Sequence, residues 1–149
     1  MIGRGLVVDA SVAVKWHLPD EEYLEEASAL LIGFRAGRLE LTAPAFIRYE
    51  LAQALERARR GRRVVPAEAT TALASFLSFG IHVPVDSDEI VASAQRISQQ
   101  TGISAYDATY VAHAEALGFD LVTADDKLAR SAARDRVSIL RLAEIAALL

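Results

Sequence analysis

No cysteine occurs among the 149 residues, which excludes disulfides, thiolate zinc sites and cysteine nucleophiles and leaves the chemistry to oxygen and nitrogen donors. Such a chain suits a reducing cytosol, and a cytoplasmic location is the expectation. Long apolar runs are missing too. No segment reaches the length of a membrane span, and the opening run Met1-Ile2-Gly3-Arg4-Gly5-Leu6-Val7-Val8 reaches Asp9 after three apolar residues, too few for a secretion signal. Positive charge is in deficit, with 16 basic against 20 acidic residues and a net charge of -4. The molecule as a whole therefore does not attract nucleic acid, and any such contact must be local.

What is present is apolar: hydrophobic residues make up 52% and charged residues 24%, a balance that excludes a disordered chain and allows self-association. At this length residues 1–149 are expected to form one domain with its own core. Short β-rich runs alternate with longer helical patterns, at Leu6–Asp9, Leu39–Thr42, Ile81–Val85, Asp120–Thr123 and Val137–Leu140. Five strands separated by helices imply an α/β sheet. Leu24, Ala27, Leu31 and Phe34 give a helix over Glu21–Ala36, with Gly37 at its C-terminal cap. Pro44 suits the first turn of the next helix. Further helices are predicted over Pro66–Ser78, Ser87–Gln100, Ser104–Leu117, Asp126–Ala132 and from Leu142 onward. With right-handed crossovers such a sheet is doubly wound and binds ligands beyond the carboxyl ends of its strands.

Four acids stand out against that frame. Asp9 ends the first strand and Asp125 lies two residues past the fourth, so both belong at the carboxyl edge and meet there if those strands are neighbours. Glu50 sits beside the apolar stripe of Ile47, Leu51, Ala54, Leu55 and Ala58, where a charge is costly unless compensated. Asp107 opens the helix that runs into the fourth strand. Each also has a structural explanation: Asp9 as a helix cap, Ser104 with Asp107 as a capping box, Asp125 in a turn. Gathered at one edge, however, the four would repel and raise one another's pKa values unless a cation neutralised them. Hard oxygen donors select Mg²⁺ or Mn²⁺, ions able to activate water and stabilise the oxygens of a cleaving phosphodiester.

The runs Val7-Val8-Asp9-Ala10-Ser11-Val12-Ala13-Val14-Lys15-Trp16, Pro44 to Glu50, Ser104-Ala105-Tyr106-Asp107-Ala108 and Leu121-Val122-Thr123-Ala124-Asp125-Asp126-Lys127-Leu128 carry a resemblance over essentially the whole chain. They resemble the PIN-domain ribonucleases, and specifically the VapC toxins of type II toxin–antitoxin pairs. The resemblance implies one PIN domain over 1–149, a three-layer α/β/α fold with a five-stranded parallel sheet in the order 3-2-1-4-5, and an Mg²⁺- or Mn²⁺-dependent endoribonuclease. It makes Asp9, Glu50, Asp107 and Asp125 the catalytic, metal-binding acids, Asp126 a further contact through water, and Ser11 and Thr123 their polar supports. It implies three partners: an RNA substrate, single-stranded or looped; a VapB-like antitoxin, received near the Pro44 and Pro66 helices; and a second copy in a homodimer.

Two other readings compete. A phosphatase of the haloacid dehalogenase type wants a second Asp two residues after the first, where this chain has Ser11. A PIN-like scaffold that binds RNA or protein without cutting is the other, and the retained acids count against it. Arg57, Arg59, Arg60, Arg62 and Arg63 form a basic cluster that would suit phosphates or merely the C-terminal end of a helix, with no aromatic residue interleaved. His17, His82 and His113 lack metal-binding spacing and read as structural or surface residues. Trp16, Leu18, Phe76, Leu77 and Phe79 read as core before partner surface, and Asp20-Glu21-Glu22 as a helix start.

Overall fold

The strands are set by β-branched and leucine-rich runs too short for helices, and the sheet by how they are connected. A computed structural model describes residues 3–133 and 136–149; Met1, Ile2, Arg134 and Asp135 lie outside them. Strands β1 (Arg4–Val8), β2 (Leu39–Thr42), β3 (Asp120–Thr123) and β4 (Ile139–Arg141) pair in parallel in the order β2-β1-β3-β4. Helices α1 (Ala10–Ala13), α2 (Leu24–Arg35), α3 (Ile47–Arg60), α4 (Pro66–Leu77), α5 (Asp88–Thr101), α6 (Ala105–Leu117) and α7 (Asp126–Ser131) surround the sheet.

The segment predicted as the third strand is the main difference from the sequence reading. Instead of a strand over Ile81–Val85 there is a single parallel bridge between Thr42 and His82, with His82 donating to Leu41 O at 3.1 Å and Ala43 donating to His82 O at 3.0 Å. Gly80 turns into it with φ +75°, and Pro84 has no N–H to continue the ladder. Its place outside β2 is the edge position that the order 3-2-1-4-5 requires. The last helix is also different: Leu142–Leu148 is a 3-10 helix. The predicted start at Glu21 is moved to Leu24, since residues 21–22 form a bend and Tyr23 takes a left-handed φ of 59°, and Pro44 falls just ahead of α3, accepting from Ile47 N at 3.0 Å.

Side chains of Leu6, Val7, Val8, Leu41, Leu121 and Val122 are fully or almost fully buried, each contributing roughly 1.5–3 kcal/mol relative to exposure. Helix α6 packs on β1 and β3, and α5 on α6, so the start of α6 is brought to the end of β1. Gly5 makes room for this packing at the other end of the strand, since a Cβ there would fall 2.2 Å from the Phe119 ring. Trp16 is half-buried against Phe76 and Phe79, its Nε1 donating to Ala27 O at 2.7 Å. Leu18 and Phe76 are core residues, while Leu77 is exposed. No helix among the described residues is long and apolar enough to cross a membrane.

Candidate active site

Four helix starts meet at the carboxyl ends of the parallel strands, and each brings one acid. Asp9 links β1 to α1, Glu50 lies in the first turn of α3, Asp107 in the first turn of α6, and Asp125 links β3 to α7. In the longer helices α3 and α6 the unpaired N–H groups and the positive dipole end offset part of the cost of a half-buried carboxylate. All four acids line one cavity of about 590 Å³.

Asp9 is the most deeply placed, at 5% exposure. Its carboxylate makes no capping bond to α1. Instead Ser11 Oγ donates to Asp9 Oδ2 at 2.6 Å and Thr123 Oγ1 to the same oxygen at 2.9 Å. The two hydroxyls then accept from the loop after β3: Ala124 N to Ser11 Oγ at 2.9 Å and Asp125 N to Thr123 Oγ1 at 3.0 Å. Asp9 N itself donates to Val122 O at 3.0 Å. The β1 and β3 loops are thereby locked together, and the positions of Asp9 and Asp125 are coupled through hydrogen bonds rather than through direct contact.

The other acids are less enclosed. Asp125 does act as a cap, Oδ1 accepting from Lys127 N at 2.9 Å and Leu128 N at 3.1 Å, with its second oxygen outside that cap. Ser104 Oγ accepts from Asp107 N at 3.0 Å, leaving the Asp107 carboxylate to the cavity. Burial raises the pKa of Asp9, against the lowering effect of Ser11 and Thr123, and the Asp107 charge raises it further. Burial, followed by the charges of Asp9 and Asp107, lifts Glu50 to about 7. Asp107 is raised by burial and then by Asp125, against Ser104. Beneath them lies Tyr110, whose buried hydroxyl meets no partner at full hydrogen-bond geometry yet lies near enough to Glu50 to favour its ionised form. Burial and the Asp9 and Glu50 charges hold that phenol neutral, well above its ordinary pKa.

The site thus concentrates negative charge on oxygen donors, with no histidine among the described lining residues, Arg57 as the cation within that lining and Lys127 acting on Asp107 from beside it. That is the donor set of a hard divalent ion. As the side chains stand, no three of the described His, Asp or Glu residues form a ready-made metal cage. Mg²⁺-like ions do not need one, since they keep several waters and are held through one or two carboxylates.

A PIN domain model matches residues 6–134. This chain belongs to the PIN domain family. Among its relatives, Ribonuclease VapC3 of Pyrobaculum aerophilum is 34% identical over 126 residues, 83% of this chain and 92% of that protein. PAE2754 from Pyrobaculum aerophilum has the same fold with a TM-score of 0.69 and 25% identity, covering 97% of this chain and 98% of that one. FitAcB from Neisseria gonorrhoeae gives 0.64 at 18% identity, covering 93% and 99%. VapBC2 from Rickettsia felis, solved bound to a DNA fragment from its promoter, gives 0.64 at 15%, covering 92% and 98%; at these two identities the likeness is of fold. The haloacid dehalogenase reading falls with the family match.

In this PIN domain the basic cluster separates. Arg59 and Arg60 pair with Glu56, Arg63 pairs with Asp20 at 2.7 Å and with Glu21 at 3.3 Å, and Arg62 adopts a left-handed φ of 59°. Among the described residues only Arg57 of the five lines the carboxylate cavity. Asp126 is exposed, is absent from that cavity and pairs with Arg141 at 3.2 Å. His113 is buried and bonded to Asp86, and His17 stacks on Phe79. Sequence reasoning missed Phe46, Tyr49, Gln53, Tyr106 and Tyr110. A signal for some was there: Phe46, Glu50, Gln53 and Arg57 follow at steps of four, three and four, one stripe of a helix.

Proposed function

We propose that this PIN domain is a divalent-metal-dependent endoribonuclease and the toxin partner of a toxin–antitoxin pair. The observation that carries the proposal is the convergence of Asp9, Glu50, Asp107 and Asp125 on one cavity, with the pKa values of the first three pushed upward. Burial is the larger cause and the neighbouring acids add to it, and a cation entering the cavity would offset both. The likeness to Ribonuclease VapC3 supports RNA as the substrate, and the fold shared with FitAcB and VapBC2 is consistent with an antitoxin partner.

Asp9, Glu50, Asp107 and Asp125 would hold Mg²⁺ or Mn²⁺, with Asp9 oriented by Ser11 and Thr123. The bound ion supplies positive charge to the phosphodiester and makes water a stronger acid. The chain itself fixes the geometry: the hydroxyl network keeps the β1 and β3 loops in register, and Asp125 stays ordered by its cap on α7. Tyr110 contributes a neutral hydroxyl beside Glu50. The groove between α3 and α4, lined by Leu55, Ala69 and Leu73, is the seat we assign to the antitoxin, and Arg57 the cation facing the RNA backbone. Asp126, Arg59, Arg60 and Arg63 are engaged with other charges and serve the surface.

Purified protein should cut RNA with Mg²⁺ or Mn²⁺ and stop when a chelator is added. Asp107→Ala should abolish that cleavage while the protein still folds, as judged by circular dichroism. Chelator-insensitive cleavage, or an Asp107→Ala variant as active as wild type, removes the proposal. Intact binding with no cleavage under any metal would instead assign the chain to the silent scaffolds.

A further inference from the structure

Three aromatic rings stand at the mouth of the carboxylate cavity, and nothing in the cleavage chemistry requires them. Phe46, Tyr49 and Tyr106 line it, with Tyr49 75% exposed and Tyr106 70% exposed. By contrast, Tyr110 and Phe76 are buried in the core. What sets these two apart from the other exposed apolar residues is their place on the cavity of the four acids, where an open ring offers a face on which a planar group can stack.

Two of the rings, Phe46 and Tyr106, are also held in place. Phe46 meets the fully buried Tyr110 edge-to-face at 5.5 Å and 90°, and meets Tyr106 at 5.6 Å and 87°. The series Tyr110, Phe46, Tyr106 runs from core to surface, so the Tyr106 ring is oriented by its neighbour while much of it stays open. A pre-oriented ring loses little rotamer entropy when something stacks on it. Tyr49 lies one residue before Glu50 on α3, at the border where the carboxylate cavity meets the α3–α4 groove, and Arg57 stands two turns further along that helix, on the carboxylate cavity.

We propose that Tyr106 and Tyr49 form a stacking platform for unpaired bases of the RNA whose phosphodiester lies over the four acids, a reading that rests on the nuclease function above. An aromatic face accepts any base through its π surface. In a duplex those faces are already covered by neighbouring pairs, so the platform selects single-stranded or looped RNA. Arg57 supplies the local cation that a chain of net charge -4 needs to meet a phosphate backbone. The platform therefore sets which strand conformation enters, while the carboxylates act on its backbone.

The test uses the full chain and two short single-stranded RNA oligonucleotides of one sequence, one with an abasic nucleotide beside the cleaved bond. Tyr106→Ala should raise KM for the normal oligonucleotide roughly 5- to 100-fold, leave kcat near wild type, and cost nothing more on the abasic one; Tyr106→Phe should behave as wild type. Tyr49→Ala should act in the same direction. Equal losses on both oligonucleotides, or no loss on either, overturn the platform. So does an unchanged RNA response accompanied by a changed oligomeric state in sedimentation, which would make the tyrosines a protein contact. A 2-aminopurine placed in the oligonucleotide gives a readout independent of cleavage: wild type should quench it on binding and Tyr106→Ala should not. Quenching without cleavage would keep the platform and remove the nuclease reading, whereas cleavage without quenching would do the reverse.

Discussion

Two polar constellations are built around buried side chains, His113 in one and Asp9 in the other, and they are balanced in opposite ways. Buried His113 on α6 faces Asp86, just ahead of α5, with Nε2 and Oδ1 2.8 Å apart: a ring nitrogen meets a carboxylate, and each is the other's partner. At the carboxyl edge of the sheet, Asp9, Glu50, Asp107 and Asp125 share one cavity, and acid faces acid. The first arrangement stabilises the fold and needs nothing from outside. The second raises the pKa of Asp9, Glu50 and Asp107, and that electrostatic cost, which a cation would offset, is our reason for reading it as a site rather than as packing.

The largest test of that contrast is Asp9→Asn. It removes a buried charge while keeping the shape, so metal-dependent cleavage should fall by more than the roughly 10- to 100-fold typical of losing a residue behind the ligands, while the thermal midpoint should hold or rise. A cleavage loss that tracks a collapse of Tm would place Asp9 with His113 as a structural residue. Next come Ser11→Ala and Thr123→Val, which leave the acids but loosen Asp9 Oδ2. Each should reduce Mn²⁺ affinity in calorimetry by about 10- to 100-fold, and unaltered binding would mean that the network serves only the loops.

His113→Ala should show the converse pattern. It should destabilise by about 2 kcal/mol, a Tm drop of roughly 4–8 °C, with cleavage at the permissive temperature close to wild type. A strong activity loss without destabilisation would end the distinction between the two regions.

The smallest effect concerns pH. Glu50 sits at about 7 in the metal-free fold against an ordinary 4.5, so its neutral form is favoured on folding. Its contribution to stability is greatest below about pH 4.5 and is lost as pH rises toward 7. The difference in Tm between wild type and Glu50→Gln should therefore fall across that window without metal, and Mn²⁺ should reverse the fall. A flat difference would show that Glu50 does not feel its neighbours.

Much of the site is legible in the sequence, for physical reasons that can be named. Strand ends place Asp9 and Asp125, because a short β run followed by an acid and a helix leaves the acid at the carboxyl edge. An apolar stripe places Glu50. Asp126 and the arginines are harder: their roles turn on which opposite charge each side chain reaches, and Arg63 reaches across 43 residues to Asp20. The aromatic platform is hidden for a similar reason. Phe46 and Tyr106 are 60 positions apart, yet pack at 5.6 Å, so the rings gather across the cavity and leave no aromatic pattern beside the arginines along the chain.

Periodicity, composition and spacing are local properties, and they are enough to dictate the alternation of strands and helices, the exclusion of thiolate chemistry and the candidacy of the four acids. Packing in three dimensions settles the rest. It makes β1 and β3 neighbours, brings Ser11 and Thr123 to one oxygen of Asp9, stops the Ile81–Val85 run at a single bridge and sets two tyrosines beside the acids. Those outcomes depend on long-range contacts, in which residues more than 100 positions apart share one hydrogen bond, and no local pattern along the chain encodes them.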